Sequence, residues 1–314
     1  MANLGEMFGA GASETFMGLP ACEDLAQLDA GIALIGADCA TPYESVGAYC
    51  AGGPAAIRAG GAAYAANLLH MNFDLGGPVF PGGIDAVDAG NLTLDPADAE
   101  ANRRKIARAV GHVLDRGAVP VLLGGDDSVP IPMLEAFGGR NRDFTILQID
   151  AHIDWRDEVG GERQGLSSTM RRASEMRHVS RIVQVGQRGI GSARMADVAA
   201  ARQWGVEFVP AREIAREGIL RAASLIPEGA EVIVCLDLDA LDPSVMPAVI
   251  GRTAGGLGYW DTVELISAVA GRARIAGFDM VEFMPARDID GQGALVAAQL
   301  LAAVLGIIAR QGKA

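Results

Sequence analysis

Short, almost continuously apolar runs recur along the chain, at 31–36 (GIALIG), 118–124 (AVPVLLG), 144–150 (FTILQID), 181–186 (RIVQVG), 206–210 (VEFVP), 231–239 (EVIVCLDLD) and 275–283 (IAGFDMVEF). A strand with one solvated face alternates apolar and polar positions, whereas these runs predict strands buried on both faces. The segments between them read differently. Residues 98–117 (DAEANRRKIARAVGHVLDRG) repeat apolar positions at helical spacing and end in glycine, which predicts a helix. Strands alternating with helices imply a parallel sheet covered on both faces. In such sheets ligands bind outside the carboxyl ends of the strands. No low-complexity linker and no internal repeat divides the chain. The expected organisation is an irregular N-terminal arm over 1–28 followed by a single domain over 29–314.

Composition narrows the class. Half of the 314 residues are apolar, so a large core forms without disulfides. The four cysteines, Cys22, Cys39, Cys50 and Cys235, show no C-x-x-C spacing, and read as small buried residues in a reducing, cytoplasmic setting. The net charge of −13 comes with no basic stripe, which argues against nucleic acid and is compatible with a cationic substrate. The N-terminus (MANLGEMFGAGAS) has neither a basic nor an apolar signal region. The apolar run at 294–309 falls short of the roughly 20 residues a membrane span needs, and Gln299 interrupts it. It predicts a buried final helix, with no membrane partner.

The chemistry gathers at the strand ends. GGDDS supplies Asp126 and Asp127; QIDAHIDWRDE supplies Asp150, His152 and Asp154; CLDLDALDPSVMP supplies Asp237, Asp239 and Asp242; GFDMVEFMP supplies Asp279 and Glu282. In an extended segment, the spacing of two in DAHID and DLD places these side chains on one face. So many carboxylates do not stay ionised in a shared cleft without cations. A pair of divalent metals sharing aspartates is the economical solution.

Together GGDDS, DAHID, DLDALDPSVMP and DMVEFMPARD resemble the signatures of the ureohydrolase family, which includes arginase and agmatinase, and most closely its agmatinase-like branch. GGPAAIRAG at 52–60 is similar to the family's G-P-x-x-I-R element. The resemblance implies an arginase-like, three-layer α/β/α fold with a mostly parallel sheet of about eight strands. It implies two divalent ions, manganese ahead of nickel, and hydrolysis of a small cationic guanidino substrate to urea and an amine. It also implies a homo-oligomer, trimer or hexamer, with a hetero-oligomer with a homologue as a variant. Carried over by position, Asp150 and Asp237 bridge the metals, His152 and Asp239 complete one, and Asp154 and Asp127 complete the other. Glu282 pairs with the guanidinium, and Asp126 stands behind the ligands. A hydroxide bridging the two ions is the nucleophile that this resemblance implies.

Two positions depart from the family. Histidine is usual where this chain has Asp127, which either serves as an oxygen ligand or fails to reach the metal. The family's proton-shuttling histidine corresponds to Ser167, in RQGLSSTMRRASEM (163–176). Serine is no general acid near neutral pH, so a bridging water or Asp154 protonates the leaving amine, or the substrate differs. Ser167 and Trp155 are candidate substrate-lining residues. His70, His112 and His178 read as ordinary surface or core residues. GQRGIG (186–191) lacks dinucleotide-binding spacing, and the arginines of MRRASEMRH (170–178) lie close enough in sequence to steer a substrate carboxylate. The alternative to an enzyme is a weakly active or inactive subunit that supports an active homologue.

Overall fold

In the computed structural model of the chain, residues 14–191 and 193–311 are described. Eight strands form one sheet: β1 (Ile32–Ala37), β2 (Ala86–Asn91), β3 (Val119–Gly124), β4 (Phe144–Ile149), β5 (Val179–Val185), β6 (Glu207–Val209), β7 (Glu231–Asp237) and β8 (Arg274–Val281). Every pairing is parallel, in the order β2-β1-β3-β8-β7-β4-β5-β6. The apolar runs give seven of these strands. β2 escapes the pattern because it is an edge strand, only half buried, with the sequence AVDAGN. It is held partly by its polar residues.

The helices are α1 (Gly53–Gly61), α2 (Ala99–Asp115), α3 (Pro130–Ala136), α4 (Thr169–Ala173), α5 (Met195–Trp204), α6 (Ala211–Glu217), α7 (Leu220–Ser224), α8 (Tyr259–Ala270) and α9 (Gln292–Ala309). Successive strand residues point to opposite faces, and each face has its own core. Leu34, Leu123, Val234 and Phe278 pack with α1 and α6 to α9 on one face, while Ile35, Leu122, Ile146 and Ile233 pack with α2 to α5 on the other. This is the three-layer α/β/α arrangement. The apolar C-terminal run is α9, which packs against α1 and α8 with 72% of its length buried. Gly60 permits that contact, since a Cβ there would lie 2.4 Å from the Ala294 carbonyl oxygen.

Residues 1–13 of the expected arm lie outside the described residues. The remainder is tied to the sheet edge: Phe16, Met17 and Leu19 are buried, and the Phe16 amide donates to Asp88 Oδ2 at 2.7 Å. The same aspartate explains the arginine of GGPAAIRAG. Arg58 grips it as a fork, Nε to Oδ2 at 2.7 Å and Nη2 to Oδ1 at 2.8 Å, with both side chains buried. Such a pair is maintained only when its geometry and remaining hydrogen bonds are satisfied. Here Asn91, the Gly90 backbone and Pro54 complete it.

Four adjacent central strands, β3, β8, β7 and β4, carry the acid-rich motifs at their carboxyl ends. Gly125 closes that end. Its amide donates to the Ala37 carbonyl at 2.7 Å, and its own carbonyl accepts from the Glu282 amide at 2.7 Å. A Cβ at Gly125 would lie only 1.8 Å from the Asp38 backbone oxygen. Gly125→Ala therefore forces backbone apart at the floor of the acid cluster, with an expected loss of about 1–3 kcal/mol of stability. Calorimetric unfolding should register it as a fall of several degrees; an unchanged Tm would contradict this packing.

Candidate metal centre

Asp237 ends β7 and Asp279 lies within β8, but the other motif acids lie beyond their strands. β4 ends at Ile149, so Asp150, His152 and Asp154 lie on an irregular segment, and Asp239 sits in a 3-10 turn over Leu238–Ala240. The reading of DAHID and DLD as one face of an extended strand is corrected here. Turn geometry brings the side chains together instead. The His152 amide donates to Asp150 Oδ1 at 2.7 Å, and the Asp239 amide donates to Asp237 Oδ1 at 2.7 Å, local bonds typical of aspartate-led turns. Asp154 (φ 43°) and Glu282 (φ 68°) adopt left-handed backbone, which is costly for non-glycine residues and tends to gather at functional sites.

Two groups of donor atoms result: Asp150, His152 and Asp239, and Asp127, Asp150 and Asp154, each with its atoms within 4.8 Å of one another. Asp150 belongs to both. His152 Nδ1 lies 3.3 Å from Asp150 Oδ1 and 3.1 Å from Asp239 Oδ2. Asp237 lines the same cavity but joins neither group. From behind, Gln148 Nε2 donates to both Asp150 Oδ2 and Asp154 Oδ2, each at 2.6 Å, and the Gln184 amide bonds Gln148 Oε1 in turn.

The adjacent acids of GGDDS do different work. Asp127 enters the cluster; its amide donates to Glu282 Oε1 at 3.0 Å, and its buried Oδ2 has no hydrogen-bond partner among the described residues. Asp126 turns away, accepting from the Ser128 amide at 3.1 Å and the Ser128 hydroxyl at 2.5 Å. It holds the turn.

A cavity of about 240 Å³ opens over the cluster, with Tyr49, His152 and Glu282 among its lining and Trp155, Arg156, Ser167 and Asp197 also on its wall. Trp155 is largely core, packed edge-on against Trp204 at 6.2 Å. Ser167 is half-buried, its amide facing the Tyr43 hydroxyl at 3.3 Å. The three other histidines stay outside this lining; His178 Nε2 lies 2.9 Å from the Leu134 carbonyl oxygen. Arg171 and Arg172 are engaged with Asp157 and Glu175, and the arginine on the cavity wall is Arg156.

Sequence reading passed over Tyr49, Gln148, Arg156 and Arg188. Gln148 does leave a signal, as a polar residue inside an apolar strand. Arg188, in GQRGIG, donates to the carbonyls of Asp239 (2.7 Å), Ala240 (3.0 Å) and Leu241 (3.1 Å), clamping the turn that presents Asp239. Only the folded loop reveals that role.

Burial governs the charges. It raises Asp127, Asp154 and Asp237 well above the usual carboxylate range, and neighbouring aspartates add to the effect. Burial also opposes ionisation of Asp150, but bonds from His152 and Asp154 and the imidazole charge outweigh it and bring the group to about 2. For His152, burial is overcome by Asp150 and Asp239, which push the imidazole up to about 12. Glu282 is pushed up to about 8, by burial and then by Asp126. Without cations the cluster balances itself with protons.

The family model described as Arginase family matches residues 30–306. The chain is 36% identical over 211 residues to N(1)-aminopropylagmatine ureohydrolase of Thermus thermophilus, covering 67% of this chain and 69% of that protein. It is 29% identical over 311 residues to the guanidinobutyrase of Pseudomonas aeruginosa, covering 96% and 94%. Among solved structures, proclavaminate amidino hydrolase from Streptomyces clavuligerus matches with a TM-score of 0.79 and 26% identity, covering 96% of this chain and 99% of that one. Through a family match across most of its length, joined to the shared fold, the chain belongs to the arginase family.

Proposed function

We propose that the protein hydrolyses a linear guanidino compound, of the agmatine or guanidinobutyrate kind, to urea and an amine with the help of two divalent ions. It is a hydrolase of linear amidine C–N bonds. The observation that carries this reading is Asp150, common to two ligand-like groups, one of which is joined to Glu282 through the Asp127 amide. The residues fit such ions. The donors are hard oxygens with one imidazole, the set that suits manganese ahead of nickel, and the orphaned Asp127 Oδ2 is a buried acceptor in need of a cation.

Asp150, which belongs to both groups, and Asp237, on the same cavity wall, would serve both ions, while His152 and Asp239 would hold one and Asp127 and Asp154 the other. Bound there, divalent ions supply Lewis acidity and lower the pKa of a water. The protein's own groups do the rest. Glu282 receives the guanidinium through a charge-assisted pair and holds its carbon over the cluster. Asp154 carries the proton to the departing nitrogen, a task the Ser167 hydroxyl does not perform near neutral pH. Ser167 and Trp155 shape the wall against the substrate chain. A homo-oligomer working in the cytoplasm belongs to the same reading; the exposed apolar Leu69, Met71 and Phe73 support assembly. The inactive-subunit alternative gains no support, because Asp127 lies with Asp150 and Asp154 rather than out of reach.

Purified protein should contain about two divalent ions per chain and release urea in a screen of guanidino compounds. Metal-loaded protein that yields formamide from a formimino compound, and no urea, would overturn the substrate class. Asp127→Ala should reduce the content to about one ion by elemental analysis; unchanged content would remove Asp127 from the ligand set. Glu282→Gln should lower kcat/KM by about 10²- to 10³-fold, because it breaks a buried charge pair, while both ions remain bound.

Metal binding should also displace protons. His152 is raised to about 12 in the metal-free cluster, so at neutral pH it carries a proton that must leave before the imidazole can ligate. Raised carboxyls act in the same direction. Apparent metal affinity therefore rises with pH between about 6 and 8. Calorimetric titrations in buffers of different ionisation enthalpy measure the released protons; zero release would contradict the charge arrangement.

A further inference from the structure

Tyr49 lies in the loop between β1 and α1 and reaches Glu282 from the far side of the chain. Its hydroxyl stands 2.6 Å from Oε1 and 2.8 Å from Oε2. A phenol has one proton to donate, so the group straddles the carboxylate rather than serving one oxygen. The same carboxylate also receives the Asp127 amide on Oε1 at 3.0 Å, and the Cys50 thiol lies 3.9 Å from Oε2. A guanidinium engages a carboxylate best as a two-pronged fork, one N–H to each oxygen. Tyr49 occupies that place.

One partner must give way for the fork to form. Glu282 is poorly suited to move: it is buried, adopts a left-handed backbone at φ 68°, and is tied through its amide to the Gly125 carbonyl at 2.7 Å. Tyr49 is the freer of the two. It is half-buried on an irregular loop that borders the cavity. Leaving a buried carboxylate without a donor is costly, so the hydroxyl has a clear role until substrate arrives.

Resting on the reading of Glu282 as the guanidinium partner, we propose that Tyr49 is a displaceable cap: its hydroxyl satisfies the Glu282 fork without substrate and yields it to the incoming guanidinium. Tyr49 is thus a positioning residue that competes with substrate, and it sets affinity rather than the rate of bond cleavage.

The test compares metal-loaded wild-type protein with Tyr49→Phe, which keeps the ring and removes the competing hydroxyl. Calorimetry with millimolar guanidinium chloride should give a Kd about tenfold lower for the variant, the scale expected from loss of a hydrogen bond to a charged group. KM for the guanidino substrate should fall in parallel, with kcat within about twofold. The substrate-free variant should melt earlier than wild type, and guanidinium should restore the difference. Equal or weaker guanidinium binding by Tyr49→Phe overturns the cap, since Tyr49 would then support Glu282 in the bound state. If neither protein binds guanidinium while both hold their metal, the guanidino reading itself fails, and the cap fails with it.

Discussion

A cluster of carboxylates buried at one point is the constraint around which the rest of the molecule is arranged. Isolated anions in a low-dielectric interior are expensive, and neighbouring ones repel. Asp127, Asp154 and Asp237 accordingly resist ionisation, and Asp150 alone is held low, by the imidazolium beside it. Such a site persists only if its side chains are held against mutual repulsion. Gln148 tethers two of the acids, Gln184 holds Gln148, and Arg188 clamps the turn under Asp239. The cluster is a reservoir of unfavourable charge whose oxygens and imidazole could hold a metal ion.

The architecture supplies the rigidity this requires. The four motif-bearing strands are neighbours at the centre of the sheet, so the acids start from backbone fixed by hydrogen bonds on both sides. Their positions are then set by short turns and by two left-handed residues, Asp154 and Glu282. Gly125, just after β3, hydrogen-bonds Ala37 at the end of β1 and Glu282 just beyond β8. Further out, the Arg58–Asp88 fork ties α1 to the edge strand and to the chain around Phe16. That connection gives the GGPAAIRAG element a structural purpose away from the acids.

The pairing of acid cluster and Glu282 gives the cavity two chemically distinct ends. One end concentrates acids suited to divalent ions; the other presents a single carboxylate already supplied with donors by Tyr49 and the Asp127 backbone. Asp127 links the two ends, with its amide on Glu282 and its side chain in the cluster. That double engagement explains how an aspartate can occupy this position without leaving the cup: its backbone is held at one end while its shorter side chain still meets Asp150 and Asp154.

The sequence by itself determined the layered fold, seven of its eight strands and the family, because doubly buried strands are apolar along their length and acid-rich motifs follow four of them. It also marked Asp150, His152, Asp154, Asp239 and Glu282 as one constellation. Tertiary structure decided what periodicity does not encode. β2 is an edge strand held partly by a buried ion pair, and Ala86 is its one fully buried apolar residue, so it leaves little hydrophobic signature. DAHID and DLD converge through turns, whose backbone angles depend on bonds such as Arg188 to the Asp239 carbonyl, made across 51 residues of chain. Tyr49 meets Glu282 across 233 residues. A contact between residues so far apart exists only once the sheet has gathered the ends of β1 and β8 on either side of β3.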